Sequence, residues 1–180
     1  ETRLMLYDEN NKPRYILPVT YVNDPDKPYV SMQDTILLNK TTWQVNQDNR
    51  VYLNPKKMQG SNLILSQGTE SLSVRASQES ISGLPLTAEM HDFQLESLTG
   101  MLFDSTIITG VANGKLSLGN YDPLSFTSDL RIDTLTFLGS RHGNFRVAAK
   151  TAGQGNYEID ISLLGEGNDF TGNGSYSTAS

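Results

Sequence analysis

Leu124-Ser-Phe-Thr-Ser-Asp-Leu-Arg-Ile-Asp133 decides the fold, because Leu124, Phe126, Leu130 and Ile132 fall on one phase of a two-residue period. Thr127, Asp129, Arg131 and Asp133 fall on the other. A period of two is that of a pleated strand, so the stretch predicts a strand with one apolar and one polar face. The theme recurs downstream. Gly143-Asn-Phe-Arg-Val-Ala-Ala-Lys150 sets Phe145 and Val147 on one side, and Tyr157-Glu-Ile-Asp-Ile-Ser-Leu163 does the same for Tyr157, Ile159, Ile161 and Leu163.

Between these runs lie turn-forming residues: Gly119-Asn120 with Asp122-Pro123, Gly139-Ser-Arg-His-Gly143, Gly153-Gln-Gly-Asn156 and Gly165-Glu-Gly-Asn-Asp169. Links this short favour an antiparallel meander, since a parallel crossover needs about a dozen residues or more. Upstream, weaker strands are expected at Arg3–Tyr7, Tyr15–Val22, Thr42–Val45, Arg50–Leu53, Asn62–Ser66 and Ser71–Ala76, and Leu84, Leu86, Ala88 and Met90 alternate as well. Asn23-Asp-Pro-Asp-Lys-Pro28 is the strongest breaker, a protruding loop or a seam between subsegments of one β-rich unit.

One segment departs from the strand period. In Asp92–Phe103 the residues Phe93, Leu95, Leu98, Met101 and Leu102 take mixed helical spacing, which predicts a short helix beginning near Leu95. Leu95, Leu98, Met101 and Leu102 could plug the end of a curled sheet, or form a connector packed on its core. The fold expected is all-β, a mainly antiparallel curved sheet or incomplete barrel built from consecutive hairpins, with that one helix.

Composition narrows the chemistry. A net charge of −6 with interspersed charges argues against nucleic acid, whose recognition relies on clustered Lys and Arg. The absence of cysteine removes disulfides, thiolate nucleophiles and Cys-ligated metals. No apolar run reaches the roughly 20 residues of a membrane-spanning helix. Beginning at Glu1 and closing on Tyr176-Ser-Thr-Ala-Ser180, the sequence is expected to be a segment excised from a larger protein.

Candidate catalytic groups are few. Asp129 with Asp133, and Glu158 with Asp160, share strand faces, but a glycosidase would need one of its two carboxyls to have a raised pKa, and a solvated face explains them more simply. His91 and His142 are far apart and lack metal-ligand spacing, Gly110–Gly114 and Gly165–Gly167 lack the flanks of a phosphate loop, and Asp24, Asp26 and Glu166–Asp169 lack the ligand pattern of an EF-hand. Trp43, the only tryptophan, with Tyr52 and other tyrosines, could form a sugar-stacking platform in a carbohydrate-binding β-sandwich, or simply pack in the core. No catalytic residue, metal or cofactor is therefore expected.

From Trp43 onward the order of motifs resembles the C-terminal region of the TamB/AsmA-like translocation and assembly family, in the versions found in Bacteroidetes. The residues that carry it are Trp43-Gln-Val-Asn46, Leu63-Ile-Leu-Ser66, Leu84–Leu98, Ile108–Leu118, Leu124–Ile132, Gly143-Asn-Phe-Arg-Val147 and Gly172-Asn-Gly-Ser-Tyr176. The resemblance implies a long sheet folded lengthwise into an open trough, part of a periplasmic protein anchored in the inner membrane. It implies phospholipid acyl chains and an outer-membrane protein-assembly component as partners, and no catalytic centre. Residues implied to line the trough are Leu124, Phe126, Leu130, Ile132, Phe145, Val147, Tyr157, Ile159, Ile161 and Leu163. Such a lining needs no specific polar contact, because acyl chains are buried at about 0.8 kcal/mol per CH₂. The same alternation also describes the inside of a closed sandwich or barrel.

Overall fold

The computed structural model describes residues 2–54, 57–76, 86–102, 107–121 and 123–178. In chain order the elements are β1 (Thr2–Tyr7), β2 (Pro13–Val22), β3 (Tyr29–Met32), β4 (Thr35–Leu38), β5 (Thr41–Val45), β6 (Val51–Tyr52), β7 (Asn62–Gln67), β8 (Glu70–Ala76) and β9 (Leu86–Gln94). Helix α1 (Glu96–Leu102) follows, then β10 (Ile108–Tyr121), β11 (Leu124–Phe137), β12 (Ser140–Gly153), β13 (Asn156–Gly165) and β14 (Asn168–Ser177). The described strands form one antiparallel sheet that does not close, in the order β14-β13-β12-β11-β10-β9-β8-β7-β5-β4-β2-β3-β6, with β1 beside β2. From β7 to β14 spatial order repeats chain order, as the short hairpin links from β10 onward favour.

The hairpin links are tighter than the glycine clusters suggested. β11 and β12 are joined by Leu138-Gly139, with φ of 49° and 79°, and β13 and β14 by Glu166-Gly167, with φ of 52° and 82°. Positive φ at both central residues is what a type I′ turn demands. Leucine tolerates that conformation at position 138 while its N–H donates to the Ile107 carbonyl at 2.8 Å. Ser140–Gly143, expected in the turn, already belongs to β12. Asn23–Pro28 is the tip of the β2–β3 hairpin, with Val22 paired to Tyr29 across its base. The Asp24 carboxylate accepts the N–H groups of Asp26 and Lys27 there, which lowers its pKa.

A slanting line of bulges crosses the sheet from β9 to β12. Asp92, Gly110, Thr134 and Gly143 all have positive φ, and the ladders slip beside them. One device recurs: the Asn113 Oδ1 accepts the Asp92 N–H at 2.9 Å, and the Asn144 Oδ1 accepts the Thr134 N–H at 3.1 Å. A bulge adds one residue to one strand and bends it. Packing onto the core accordingly steps by three rather than two, from Met90 to Phe93 and from Ile132 to Leu135.

The core lies at the bulged end. Buried Tyr15, Ile36, Leu38, Trp43, Val45, Leu65, Phe93, Ala112 and Ile132 form one cluster, with Leu95, Leu98, Leu130, Leu135 and Phe145 packed against it. Trp43 on β5 and Phe93 on β9 are three strand steps apart, about 14 Å in a flat sheet. Their ring centroids are 5.5 Å apart, so this half of the sheet curls onto itself. Helix α1 lies inside the curl: a Cβ at Gly100 would collide with Arg14 and the Tyr15 hydroxyl on β2. Leu95 and Leu98 pack against the core, whereas the side chains of Met101 and Leu102, and all of Leu84, fall outside the described residues.

Candidate functional site

Register determines which side chains share a face, because directly opposed residues in an antiparallel pair point the same way. One row crosses the sheet through Val45, Leu65, Leu72, Met90, Gly114, Leu130, Val147, Ile161 and Gly172. The next runs through Leu63, Val74, Ala88, Leu116, Ser128, Ala149, Ile159 and Gly174. A third runs through Phe93, Ala112, Ile132, Phe145, Leu163 and Phe170. The sheet therefore carries one continuous apolar face from β5 to β14. Gly114 is required in it, since a Cβ there would strike the backbone of Asp129 and Leu130.

The residues expected to line a trough all lie on this face, but the curl divides them. Ile132 is 9% exposed and belongs to the packed core, with Leu130 and Phe145 against it. Val147, Tyr157, Ile161 and Leu163 are half-buried. Leu124, Ile159 and, on β14, Phe170 and Tyr176 are open, at 40%, 42%, 56% and 67%. At the far end Phe126 stacks on Tyr157 and Tyr157 on Tyr176, with centroids 5.8 and 6.4 Å apart. Phe170 and Tyr176 were missed by periodicity, because Gly172 and Gly174 interrupt the apolar phase of β14; their pairing with Leu163 and Tyr157 is what places them.

The opposite face is polar. Arg146 holds the Asp129 carboxylate through two hydrogen bonds, at 2.7 and 3.0 Å, and lowers its pKa, the reverse of what a general acid needs. Lys150 pairs with Glu158 and Arg131 with Asp133, so the strand carboxylates behave as a solvated, ion-paired surface. His91 stands beside Asp92 at 3.5 Å, exposed. Among the described residues no three His, Asp or Glu side chains converge on a point where a metal ion could be held.

The tryptophan platform is not present. Trp43 is 1% exposed and packs on Phe93, and the face of Tyr52 is covered by the Lys27 ammonium 3.9 Å from its centroid, with Tyr29 packed edge-on. The aromatic side chains that do stack on one another are Phe126, Tyr157 and Tyr176, of which Tyr176 is exposed. No described helix is long and apolar enough to cross a membrane. No protein-family profile, curated protein or solved structure matches the chain.

Proposed function

We propose that this chain is a non-catalytic segment of a TamB/AsmA-like envelope protein, whose apolar face carries phospholipid acyl chains or scaffolds outer-membrane protein assembly. The observation that supports the reading most is the apolar face that continues past the packed core onto β13 and β14, where Ile159, Phe170 and Tyr176 meet solvent. Soluble proteins rarely leave contiguous apolar surface uncovered without a ligand or partner for it. Acyl chains suit it, because the lining offers area rather than hydrogen-bond donors. A periplasmic setting, an inner-membrane anchor elsewhere in the protein and an outer-membrane assembly partner belong to the same proposal.

Native mass spectrometry of the purified chain should reveal retained phospholipid, and a fluorescent acyl-chain probe should bind it. Ile159→Asp or Ile161→Asp should weaken the probe tenfold or more, since each removes roughly 1.5–3 kcal/mol of burial, with the melting temperature little changed. Ile132→Asp should instead unfold the chain. Probe affinity indifferent to Ile159→Asp would sink the reading. The Phe126–Tyr157–Tyr176 stack, which opens to solvent at Tyr176, favours a second reading, a carbohydrate-binding face, which glycan binding lost on Tyr176→Ala would support.

A further inference from the structure

We infer that an open cavity on the polar face, between the tip of the β2–β3 hairpin and the turn leading into β7, binds the phosphate of a small ester carrying a neighbouring hydroxyl or ammonium group. Lys27, Asp48, Arg50, Tyr52 and Asn62 line its volume of about 600 Å³. Register fixes the side on which it opens. Leu63 lies on the apolar face, so its neighbour Asn62 lies on the other, and so does Arg50, which is bridged to Asn62. Tyr52, on the same strand phase as Arg50, shares that side with its partner Tyr29. The cavity therefore faces away from the apolar lining and works independently of what that lining binds.

Both cations are held in place before any ligand arrives. The Lys27 ammonium sits 3.9 Å from the Tyr52 centroid and donates to the Gln59 carbonyl at 2.7 Å. The Arg50 guanidinium lies over Tyr29, 5.6 Å from its centroid, and also meets the Tyr52 side chain. Tyr29 and Tyr52 pack edge to face, so the two charges rest on one aromatic support. The backbone around them is fastened by buried polar groups. The Asn49 Oδ1 accepts the Met32 N–H at 2.6 Å, its Nδ2 donates to the Met32 and Asn46 carbonyls, and the Ser61 hydroxyl accepts the Tyr52 N–H at 3.0 Å. Among the described residues no carboxylate is close enough to pair with Lys27 or Arg50. The nearby loop acids are engaged elsewhere: Asp24 accepts N–H groups of its own loop, and Asp26 stands 3.8 Å from Lys57. A planar guanidinium fork beside a point-like ammonium suits the several oxygens of a phosphate, and cations already ordered lose little freedom on binding it. Asp48 on the rim narrows the choice. Its carboxylate repels a bare phosphate and accepts a hydrogen bond from a hydroxyl or ammonium beside one.

Calorimetric titration of the intact chain with phosphoethanolamine and with glycerol 3-phosphate should show one saturable site with a Kd below about 1 mM, and inorganic phosphate should bind several-fold more weakly. Amide resonances of Arg50, Gly60 and Asn62 should shift with the same saturation. Arg50→Gln and Lys27→Gln should each weaken the esters about tenfold, and Asp48→Asn should abolish their advantage over inorganic phosphate. Lys27 stands on a hairpin tip, so its variant keeps the test decisive should Arg50→Gln misfold. Vesicles containing phosphatidylethanolamine separate two sources of the phosphate: co-sedimentation lost on Arg50→Gln places it on a bilayer headgroup, and co-sedimentation unchanged places it on a soluble ester. No saturable ester site, no preference over inorganic phosphate, or affinities untouched by both cation variants would overturn the inference. Acyl-probe binding, read on the opposite face, should be the same in all three variants and tests the lipid reading separately.

Discussion

At the scale of single residues, the N-terminal hairpin carries a defined electrostatic contact. The Asp8 carboxylate pairs with Lys40 and accepts the N–H groups of Lys12 and Asn10, and the Lys40 bond above all holds its pKa down to about 2, against 3.8 unperturbed. A lowered native pKa means the contact contributes above 3.8 and is lost as pH falls toward 2. Melting temperature should therefore drop through that window more steeply for the native chain than for Asp8→Asn, and parallel curves would show the contact contributes nothing. Trp43 shows where reading at this scale stops. Its type suits a core or a binding platform, with the core favoured, and its burial and 5.5 Å approach to Phe93 from a strand three steps away decide for the core.

At the scale of elements, the alternation in Leu124–Asp133, Gly143–Lys150 and Tyr157–Leu163 was enough to read β11 to β13 as a meander, because within those runs the period of two holds. β3 and β4 escaped because four residues give too little period to recognise. The bulges escaped for a different reason. Gly110 and Gly143 read as glycines leading into strands, yet the left-handed backbone at Asp92 and Thr134 is sustained by Asn113 and Asn144 on neighbouring strands, a pairing no local pattern reveals. These positions should be sensitive. Gly143→Ala forces a Cβ into the Leu164 carbonyl at a φ of 96° and should cost more than about 1 kcal/mol. Asn144→Ala, which only strips an exposed acceptor from Thr134, should cost about 0.5–1.5 kcal/mol. Denaturant titration of the two variants checks the order.

At the scale of the molecule, alternation pointed to a shared apolar face, and register sets Leu130, Ile132, Phe145, Val147, Ile159, Ile161 and Leu163 on one side of the sheet. How that face divides into a packed part and an open part was not legible, since it depends on curling that brings β2, β5, β9 and α1 together across the sheet. The division predicts uneven stability. Amides of β4, β5 and β9 should exchange at rates set by global unfolding, and those of β13 and β14, which contribute no member to the core cluster, by local opening many-fold faster. Uniform protection across the sheet would contradict it. The bulges of β9 to β12 also separate two quantities that a closed barrel would tie together. On one side lie the helix and the aromatic centre; on the other, hairpin arms run freely to their tips. Two residues added to each arm would lengthen it by roughly 7 Å without disturbing the packed end. The reach of the open wall is thus a gauge set by hairpin length alone, and sequences that share the packed end can differ in how far their apolar wall extends.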